Sequence, residues 1–352
     1  MTDVHPGQRT FIALVSAPGG FAGRTGVLPA PTLDWYHVEP VNEALEALLG
    51  VPTHVLRLIT AVGGDTPCGG LVTYHVEALG EPDRTHLHPA EEPDHDAEFR
   101  LPYAKLGGPS ALVAWADEHV ERTGRAVQVR TWNLSTVHRL PTARGPVWLK
   151  AVPPFFADEG AVIEMVAEVA PGLVPRVIAQ APQRVLLSDE PGDDCWHVTP
   201  EDIRTVVPRW VAAQHALAGP PRIRPTAVPM PDFGLPDTLT HGDFHPGNWR
   251  RTGRIIDWSD AVWGHPALDA RRVLEFTRPE VHDVLRQVWS EAWLRLRPDS
   301  RPLEALDVAR RASHLHNAVK YQQFLDNVEE SERIYHAGDA EGELRAALRP
   351  AR

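Results

Sequence analysis

The spacing of apolar side chains divides the chain into short strands and longer helices. Short runs of alternating or continuous apolar residues predict strands, and these cover residues 10–16, 54–60, 70–79, 126–132, 136–140, 147–152 and 184–188. Apolar positions three and four apart predict helices, and these cover residues 41–49, 108–123, 157–169, 203–218, 268–276, 282–296 and 303–324. Strands dominate the first half and helices the second, which indicates an α+β fold.

The order of these elements predicts three domains. Residues 1–105 mix strands with one short helix and form a small α+β domain of unknown role. Residues 106–190 hold a lead-in helix, three strands, a helix and a further strand, and residues 191–352 are mostly helical. A length of 352 residues agrees with two or three domains. A set of acidic side chains late in the chain is expected to form a solvent-exposed helix face, namely Asp326, Glu329, Glu330 and Glu332.

The amino-acid composition argues against some classes of binding partner. The 35 basic and 47 acidic side chains give a net charge of -12, which argues against a nucleic-acid groove. Cys68 and Cys195 lack the spacing of a disulfide framework or a zinc site, which fits a reducing cytoplasm. No apolar run approaches the roughly 20 residues that cross a membrane, and residues 11–17 lack the basic start of a signal peptide. We therefore expect a cytoplasmic protein whose partner is neither nucleic acid nor a membrane, and the oligomeric state stays open.

One segment concentrates polar side chains in the pattern of a catalytic loop. It contains His241-Gly242-Asp243-Phe244-His245-Pro246-Gly247-Asn248 and is followed by Ile255-Ile256-Asp257-Trp258. Glycine, proline and asparagine favour a loop over residues 241–248, and residues 255–256 predict a short buried strand that ends at Asp257. The oxygens of Asn248 and Asp257 suit Mg²⁺. Asp243 can join them as a third ligand, or it can instead accept a hydrogen bond from an attacking hydroxyl, the role that phosphoryl transfer requires.

Residues 241–248 resemble the His-Gly-Asp-x-x-x-x-Asn motif of the aminoglycoside phosphotransferase and choline kinase family, distant relatives of protein kinases. Ile256-Asp257-Trp258 resembles that family's metal-binding segment, and Trp148-Leu149-Lys150 resembles the strand that carries its nucleotide lysine. The resemblance spans about residues 126–340. It implies a two-lobed protein-kinase-like fold, with a small antiparallel β-sheet lobe and a larger helical lobe, preceded here by the extra α+β domain.

The resemblance also implies roles for individual residues. Asp243 and His241 are expected to be catalytic, and Asn248 and Asp257 are expected to hold Mg²⁺. The expected nucleotide is ATP, with GTP left open, and the residues implied to bind it are Lys150, its carboxylate partner Glu159, Ser135, Thr136, Ser188, Asp189 and Glu190. Lys150 has independent support, because the chain contains only three lysines against 32 arginines, and a lysine on a strand suggests that a compact charge is needed there.

The predicted function is an ATP-dependent, Mg²⁺-assisted O-phosphotransferase acting on a small-molecule hydroxyl such as an aminoglycoside, amino sugar or amino alcohol. Two other classes stay open. One is a catalytically weak kinase-like module for binding or regulation. The other is a metal-dependent hydrolase in which His241, Asp243 and His245 share a metal with His265. In the kinase-like interpretation, His265 instead begins a helix and Asp269 braces the catalytic loop.

Overall fold

The computed structural model describes residues 8–349, and over this range the chain forms twelve strands and eight helices. The strands are β1 (Arg9–Ala17), β2 (Gly20–Arg24), β3 (Leu28–Ala30), β4 (Thr53–Val62), β5 (Gly70–Ala78), β6 (Val127–Trp132), β7 (Ser135–Leu140), β8 (Val147–Ala151), β9 (Val177–Ala181), β10 (Arg184–Ser188), β11 (Thr238–Thr240) and β12 (Val262–Gly264). The helices are α1 (Glu39–Leu49), α2 (Gly108–Asp117), α3 (Glu159–Val169), α4 (Pro200–Leu217), α5 (Ala267–Phe276), α6 (His282–Leu296), α7 (Pro302–Asn327) and α8 (Asp339–Leu348). The predicted α+β class is confirmed.

Packing divides the described chain into two units. The first contains residues 8–153 and 324–337, and the second contains residues 154–323 and 338–349. The chain therefore enters the first unit twice, once at each end of the sequence. The predicted domain boundaries at residues 105 and 190 do not coincide with these packing units, and they stay a prediction about separate domains.

A mixed sheet forms the N-terminal part of the first unit. Its strands lie in the order β2-β1-β5-β4, and β3 also pairs with β1. Strands β1 and β5 run parallel, with Arg9 opposite Gly70, whereas β2 and β4 run antiparallel to their neighbours. Alternating residues of β1 are buried in one core with Val41, Leu45 and Leu49 of α1, as expected for a strand and a helix that share one apolar layer. Strands β2 and β3 were not predicted.

Strands β6, β7 and β8 pair antiparallel in chain order and share buried hydrogen bonds with the N-terminal sheet. The side-chain amide of Gln128 on β6 donates to the carbonyl oxygen of Val55 at 2.8 Å, and its oxygen accepts from the N–H of Val55 at 2.9 Å. Asn42 of α1 donates to the same oxygen at 3.1 Å. Because Gln128 is buried, these partners replace the water that it would otherwise bind.

Residues 324–337 complete the first unit through two buried carboxylates. The Nε of Arg100 donates to Glu329 at 2.8 Å, and the N–H of Leu58 on β4 donates to Glu332 at 2.9 Å. Both glutamates are buried. The prediction of a solvent-exposed face is therefore wrong for Glu329 and Glu332, because their partners come from a part of the chain that is distant in sequence.

The second unit is mostly helical and presents one polar loop between two short strands. Helix α4 begins with a capping box, in which the Thr199 hydroxyl accepts from the N–H of Asp202 and the Asp202 carboxylate binds the N–H of Thr199. Strands β9 and β10 form an antiparallel pair, as do β11 and β12. The loop between β11 and β12 contains the motif of residues 241–248. Among the helices of residues 8–349, none has both the length and the apolar composition needed to cross a bilayer.

Two predicted elements differ from the structure by more than a few residues at their ends. Helix α2 ends at Asp117 instead of continuing to residue 123, because the N–H of Thr123 donates to the carbonyl of Pro141 and draws this segment into strand-like pairing. Residues 255–256 form a single bridge, Ile255 opposite Trp249, rather than a strand. Asp257 is therefore positioned by individual hydrogen bonds, not by a sheet.

Candidate active site

A buried carboxylate holds the start of the polar loop. Asp269, on the first turn of α5, is only 2% exposed and accepts from the backbone N–H groups of His241 at 2.9 Å and Gly242 at 3.2 Å. The side chains of Trp210 and Gln214 donate to Asp269 at 2.9 and 3.1 Å. Burial raises the pKa of Asp269, and these donors oppose the effect. The prediction that Asp269 braces the loop is confirmed.

Gly242 makes the turn that follows. Its backbone is left-handed, with φ of 78°, and a Cβ added there would lie 2.1 Å from the carbonyl oxygen of Asp260. The turn thus requires both the conformational freedom of glycine and the absence of a side chain. This turn reverses the chain between His241 and Asp243.

The ring of His241 connects the loop to the segment that precedes Asp257. Its Nε2 lies 3.0 Å from the carbonyl oxygen of Ile256, and its Nδ1 accepts from the N–H of Asp243 at 3.3 Å. A neutral ring with the proton on Nε2 makes both bonds, and burial lowers the pKa of His241 in agreement with this form. These contacts support a positioning role, and the catalytic role of His241 stays a prediction.

Asp243 has partners on both carboxylate oxygens. Its Oδ1 accepts from the Nε of Arg272 at 2.9 Å, and the Nη2 of Arg272 lies 2.8 Å from the same atom. Its Oδ2 lies 3.3 Å from the Nε2 of His245. Burial opposes ionisation, but Arg272, His245 and Lys320 outweigh it and hold the pKa of Asp243 well below its usual range. The side chain is therefore a carboxylate at neutral pH and can accept a hydrogen bond.

Asn248 and Asp257 are brought together through Ile256. The N–H of Ile256 donates to the carbonyl oxygen of Asn248 at 2.9 Å, and the Asn248 side-chain amide donates to the carbonyl of Asp243 at 3.0 Å. Asp257 follows directly, with a left-handed φ of 66°, and accepts from the hydroxyl of Ser259 at 3.1 Å. Such a conformation is uncommon outside glycine and concentrates at functional sites. The backbone bond thus brings the residue before Asp257 to Asn248.

The available donor set fits Mg²⁺ bound together with phosphate. Within residues 8–349, no group of three His, Cys, Asp or Glu side chains is arranged to hold a metal ion. Asn248 and Asp257 offer amide and carboxylate oxygens, and Mg²⁺ commonly takes one or two such ligands while substrate phosphates and water supply the others. An all-protein metal cage is therefore not formed by the described residues.

The geometry does not support the alternative His-Asp-His metal site. Both ring nitrogens of His241 already contact backbone groups. The Nδ1 of His245 accepts from the N–H of Gly247 at 3.1 Å, and the Nδ1 of His265 accepts from the N–H of Ala267 at the start of α5 at 3.2 Å. His265 therefore lies at a helix start, as the kinase-like interpretation expects, and the described residues offer no zinc site for a hydrolase.

Four of the residues predicted to contact nucleotide lie in the second unit. Glu159, the first residue of α3, is buried and accepts from the N–H of Trp258 at 3.0 Å. The hydroxyl of Ser188, at the end of β10, donates to Glu190 at 3.1 Å, and Glu190 also binds Arg254 at 2.7 Å. Burial raises the pKa of Glu190, and Arg254 opposes this. Asp189 lies between these two residues, and all four assignments stay predictions.

The other three residues that were predicted to contact nucleotide lie in the first unit. Lys150 is a buried residue of β8, opposite Val137 of β7. The hydroxyl of Ser135 accepts from the indole N–H of Trp132 at 3.1 Å. Thr136 is fully buried and its hydroxyl donates to the carbonyl of Arg130 at 3.2 Å, an environment that does not favour contact with phosphate. Assignment of Lys150, Ser135 and Thr136 to the nucleotide stays a prediction.

Sequence reasoning missed two cations close to Asp243. Arg272 follows Asp269 by three positions on α5, a spacing that places both on one helix face and is a usable signal. Lys320 of α7 lies 3.1 Å from Asp260 and 3.5 Å from the carbonyl oxygen of Gly242. The scarcity of lysine marked Lys320 as unusual, but its place beside the loop depends on how α7 packs.

Several solved structures are similar to about two thirds of this chain. A macrolide 2'-phosphotransferase from Brachybacterium faecium is 17% identical, with 69% of this chain and 99% of that chain covered and a TM-score of 0.47. A choline/ethanolamine kinase family protein from Mesorhizobium loti is 15% identical, with coverage of 68% and 96% and a TM-score of 0.45. An aminoglycoside phosphotransferase in a ternary complex with ADP and hygromycin B is 13% identical, with coverage of 68% and 100% and a TM-score of 0.41.

The sequence itself also matches a known family. Among curated proteins no sequence matches the chain significantly. Residues 133–306, however, match the family described as the phosphotransferase enzyme family. The matched range contains every residue that was predicted to bind nucleotide, metal or acceptor, and this match confirms the resemblance inferred from the motif.

Proposed function

Residues 133–306 belong to the phosphotransferase enzyme family, and from this we propose that the protein transfers the terminal phosphoryl group of ATP to a hydroxyl of a small molecule, with Mg²⁺. GTP is the alternative donor. Asn248 and Asp257 are proposed to hold the metal against phosphate oxygens, and Lys150 is proposed to contact the phosphates. When bound, Mg²⁺ would offset negative charge on the transferring group. The expected location is the cytoplasm.

One observation carries the proposal, namely the connection of Asp243, Asn248 and Asp257 by short hydrogen bonds through a single loop. Asn248 donates to the backbone of Asp243 and accepts from the N–H of Ile256, the residue before Asp257. An ionised carboxylate therefore lies beside two oxygen donors that suit Mg²⁺. Phosphoryl transfer depends mainly on such positioning and on charge stabilisation. In this arrangement Asp243 orients the acceptor hydroxyl and receives its proton.

The test compares Asp243→Asn with Asp257→Asn. Asp243→Asn should keep the affinity for Mg²⁺-ATP, because Asp243 is proposed to face the acceptor, while turnover falls by about 10² to 10⁴, the range for loss of a general base. Asp257→Asn should weaken both nucleotide binding and turnover, because it removes a metal ligand. Calorimetric titration with Mg²⁺-ATP and an ADP-release assay across a panel of hydroxyl compounds measure the two effects.

Asp283→Asn on α6 is the matched control, because its exposed carboxylate lies outside the site and its loss should change neither quantity. Parental turnover in Asp243→Asn would falsify the assignment of the base. Failure of the unaltered chain to bind Mg²⁺-ATP or Mg²⁺-GTP would contradict the phosphotransferase proposal itself and favour a binding or regulatory module.

A further inference from the structure

Three rings form a partly exposed aromatic platform on the second unit, which we define as Trp196, His245 and Phe276. The ring of His245 stacks on Trp196, with centroids 4.7 Å apart and an angle of 23°, and on Phe276, with centroids 4.8 Å apart and an angle of 21°. Trp196 is 49% exposed and Phe276 is 39% exposed. Large aromatic rings that stay exposed next to polar groups are typical of ligand-binding surfaces.

The platform adjoins both oxygens of Asp243. The Nε2 of His245 lies 3.3 Å from Oδ2. The guanidinium of Arg272, which binds Oδ1, lies 4.3 Å from the ring centroid of Phe276. When a hydroxyl of a bound molecule contacts Asp243, the neighbouring atoms of that molecule can therefore contact these rings.

Charges around Asp243 are already paired. Arg272 binds Asp243, Arg271 binds Glu275 at 3.3 Å, and on the other side of the loop Lys320 binds Asp260. At the platform itself, Asp194 accepts the backbone N–H of Trp196, a bond that positions Trp196 but does not neutralise the carboxylate. Next to Asp243, however, a polycationic acceptor would meet the positive charges of Arg272 and Lys320.

The aromatic rings do not favour a small cation either. A cation binds best over the face of an aromatic ring, but Arg272 already lies over Phe276. A second cation placed beside it would be repelled by the guanidinium. An uncharged sugar avoids this repulsion, because its C–H face can lie on the half-exposed ring of Trp196 while its hydroxyls bind polar groups at the rim.

Resting on the proposed function, we infer that the aromatic platform is the acceptor site and that it binds the ring of an uncharged sugar. One sugar hydroxyl binds Oδ2 of Asp243. Its oxygen forms the new bond to the γ-phosphorus of ATP, the bond from that phosphorus to the bridging oxygen breaks, and ADP leaves. The hydroxyl proton passes through Asp243 to water. Trp196 and Phe276 determine which ring is accepted.

The test uses four probes: a methyl hexopyranoside, glucosamine, a polycationic aminoglycoside and the uncharged nucleoside uridine. Binding is measured without nucleotide by the change in tryptophan fluorescence, because Trp196 is half exposed, and phosphorylation is measured with Mg²⁺-ATP. We expect the uncharged sugar to bind and to be phosphorylated with the highest kcat/KM. Trp196→Ala and Phe276→Leu should each raise its KM by about tenfold or more.

Leu344→Ala on α8 is the matched control, because Leu344 is 48% exposed and lies away from these rings in sequence and on another helix; its KM should equal that of the unaltered chain. Preference for the aminoglycoside, glucosamine or uridine overturns the assigned substrate class. An unchanged KM in both Trp196→Ala and Phe276→Leu overturns the assignment of the platform as the acceptor site. Circular dichroism identifies a variant that does not fold, and the other variant then decides. Titration with Mg²⁺-ATP alone tests the phosphotransferase activity separately, so sugar binding without nucleotide binding would contradict the proposed function and leave the platform supported.

Discussion

Arg272 decides the charge state of Asp243. Two N–H groups of its guanidinium converge on one carboxylate oxygen, and charge-assisted bonds of this kind are among the strongest in proteins. Because they keep the pKa of Asp243 well below its usual range, the carboxylate is a weak proton acceptor but a constant hydrogen-bond acceptor. In the proposed mechanism, the main contribution of Asp243 is then to orient the hydroxyl, with proton acceptance late in the transfer.

We predict that Arg272→Gln moves the acidic limb of the pH–rate profile to higher pH. Without the guanidinium, burial raises the pKa of Asp243 with less opposition. A carboxyl protonated at a given pH cannot accept the hydroxyl hydrogen, so activity is lost at a pH where the parental enzyme still works. Turnover measured from about pH 5 to pH 9 locates the limb.

Arg271→Gln is the control, because Arg271 binds Glu275 and not Asp243. Arg272→Lys should give an intermediate profile, since an ammonium keeps the charge but lacks the rigid planar geometry that directs two N–H groups at one oxygen. If the acidic limb is unchanged in Arg272→Gln, a group other than Arg272 sets the protonation state of Asp243.

At the residue scale, the sequence predicted the members of the loop but not their neighbours. Asp243, Asn248 and Asp257 lie within a short segment whose residue types restrict its conformation, so residue type and spacing together predicted that they lie close to one another. Contacts of Arg272 and Lys320 with this loop require that α5 and α7 pack beside it. How these helices pack depends on the apolar side chains of the whole unit, and the pattern of one sequence does not determine that packing in detail.

Among the secondary elements, the loop between β11 and β12 is the most tightly constrained. Asp269 fixes its entrance, His241 fixes its distance from Ile256, and Gly242 makes the turn between them. Each constraint acts on backbone groups rather than on the side chains that are proposed to contact substrate. The loop is therefore preorganised before any ligand binds.

Gly242→Ala should lower both stability and turnover. The left-handed φ costs an alanine about 1 kcal/mol, and its methyl group would also meet the carbonyl of Asp260. Gly338→Ala separates the cost of the left-handed backbone from the cost of the close contact. Gly338 has a φ of 87°, but a Cβ added there would have open space around it. Urea denaturation should show a larger loss for Gly242→Ala, and only this variant should lose turnover. Equal losses in the two variants would mean that the close contact is relieved at no cost.

The apolar pattern predicted elements well where burial on one face repeats over several turns. The bounds of α6 and β10 are those predicted, and α4, α5 and α7 differ by a few residues. The short strands β2 and β3 were missed because too few residues alternate in them. The predicted length of α2 was wrong because backbone pairing with residues 141–142 competes with the helix.

On the scale of the whole molecule, the return of residues 324–337 to the first unit places an unusual acid in its interior. Glu332 accepts from the backbone of Leu58. Burial and the neighbouring charge of Glu329 raise the pKa of Glu332 to about 8, although Arg57 and Arg100 are also near. The folded chain therefore keeps a proton on Glu332 that the unfolded chain loses at a much lower pH.

Glu332 should make stability fall with rising pH. Its stabilising contribution is complete below the ordinary pKa of glutamate and is lost as the pH rises to about 8. Glu332→Gln resembles the protonated acid and can still accept from Leu58, so the fall in the urea midpoint between about pH 6 and pH 8 should become smaller. Glu330→Gln is the control, because Glu330 is exposed. A parental pH dependence in Glu332→Gln would contradict the assigned protonation state.

This return of residues 324–337 to the first unit could not be predicted from the sequence. Acidic residues at the end of a helix usually form a solvated surface, and the partners of Glu329 and Glu332 lie more than two hundred positions earlier in the chain. The kinase-like resemblance likewise begins only near residue 126, so it carried no information about what the N-terminal sheet would bind.

The first unit is built from two segments that are distant in the sequence, and this affects how the unit folds during synthesis. The ribosome delivers residues 8–153 early, but the segment that binds Leu58 and Arg100 ends only at residue 337. At about 5–20 residues per second, the intervening synthesis takes roughly 10 to 40 s. During that time the nascent sheet holds unpaired polar groups and an incomplete core, which are features that chaperones bind. The part translated first is thus unable to finish folding until residue 337 has been synthesised.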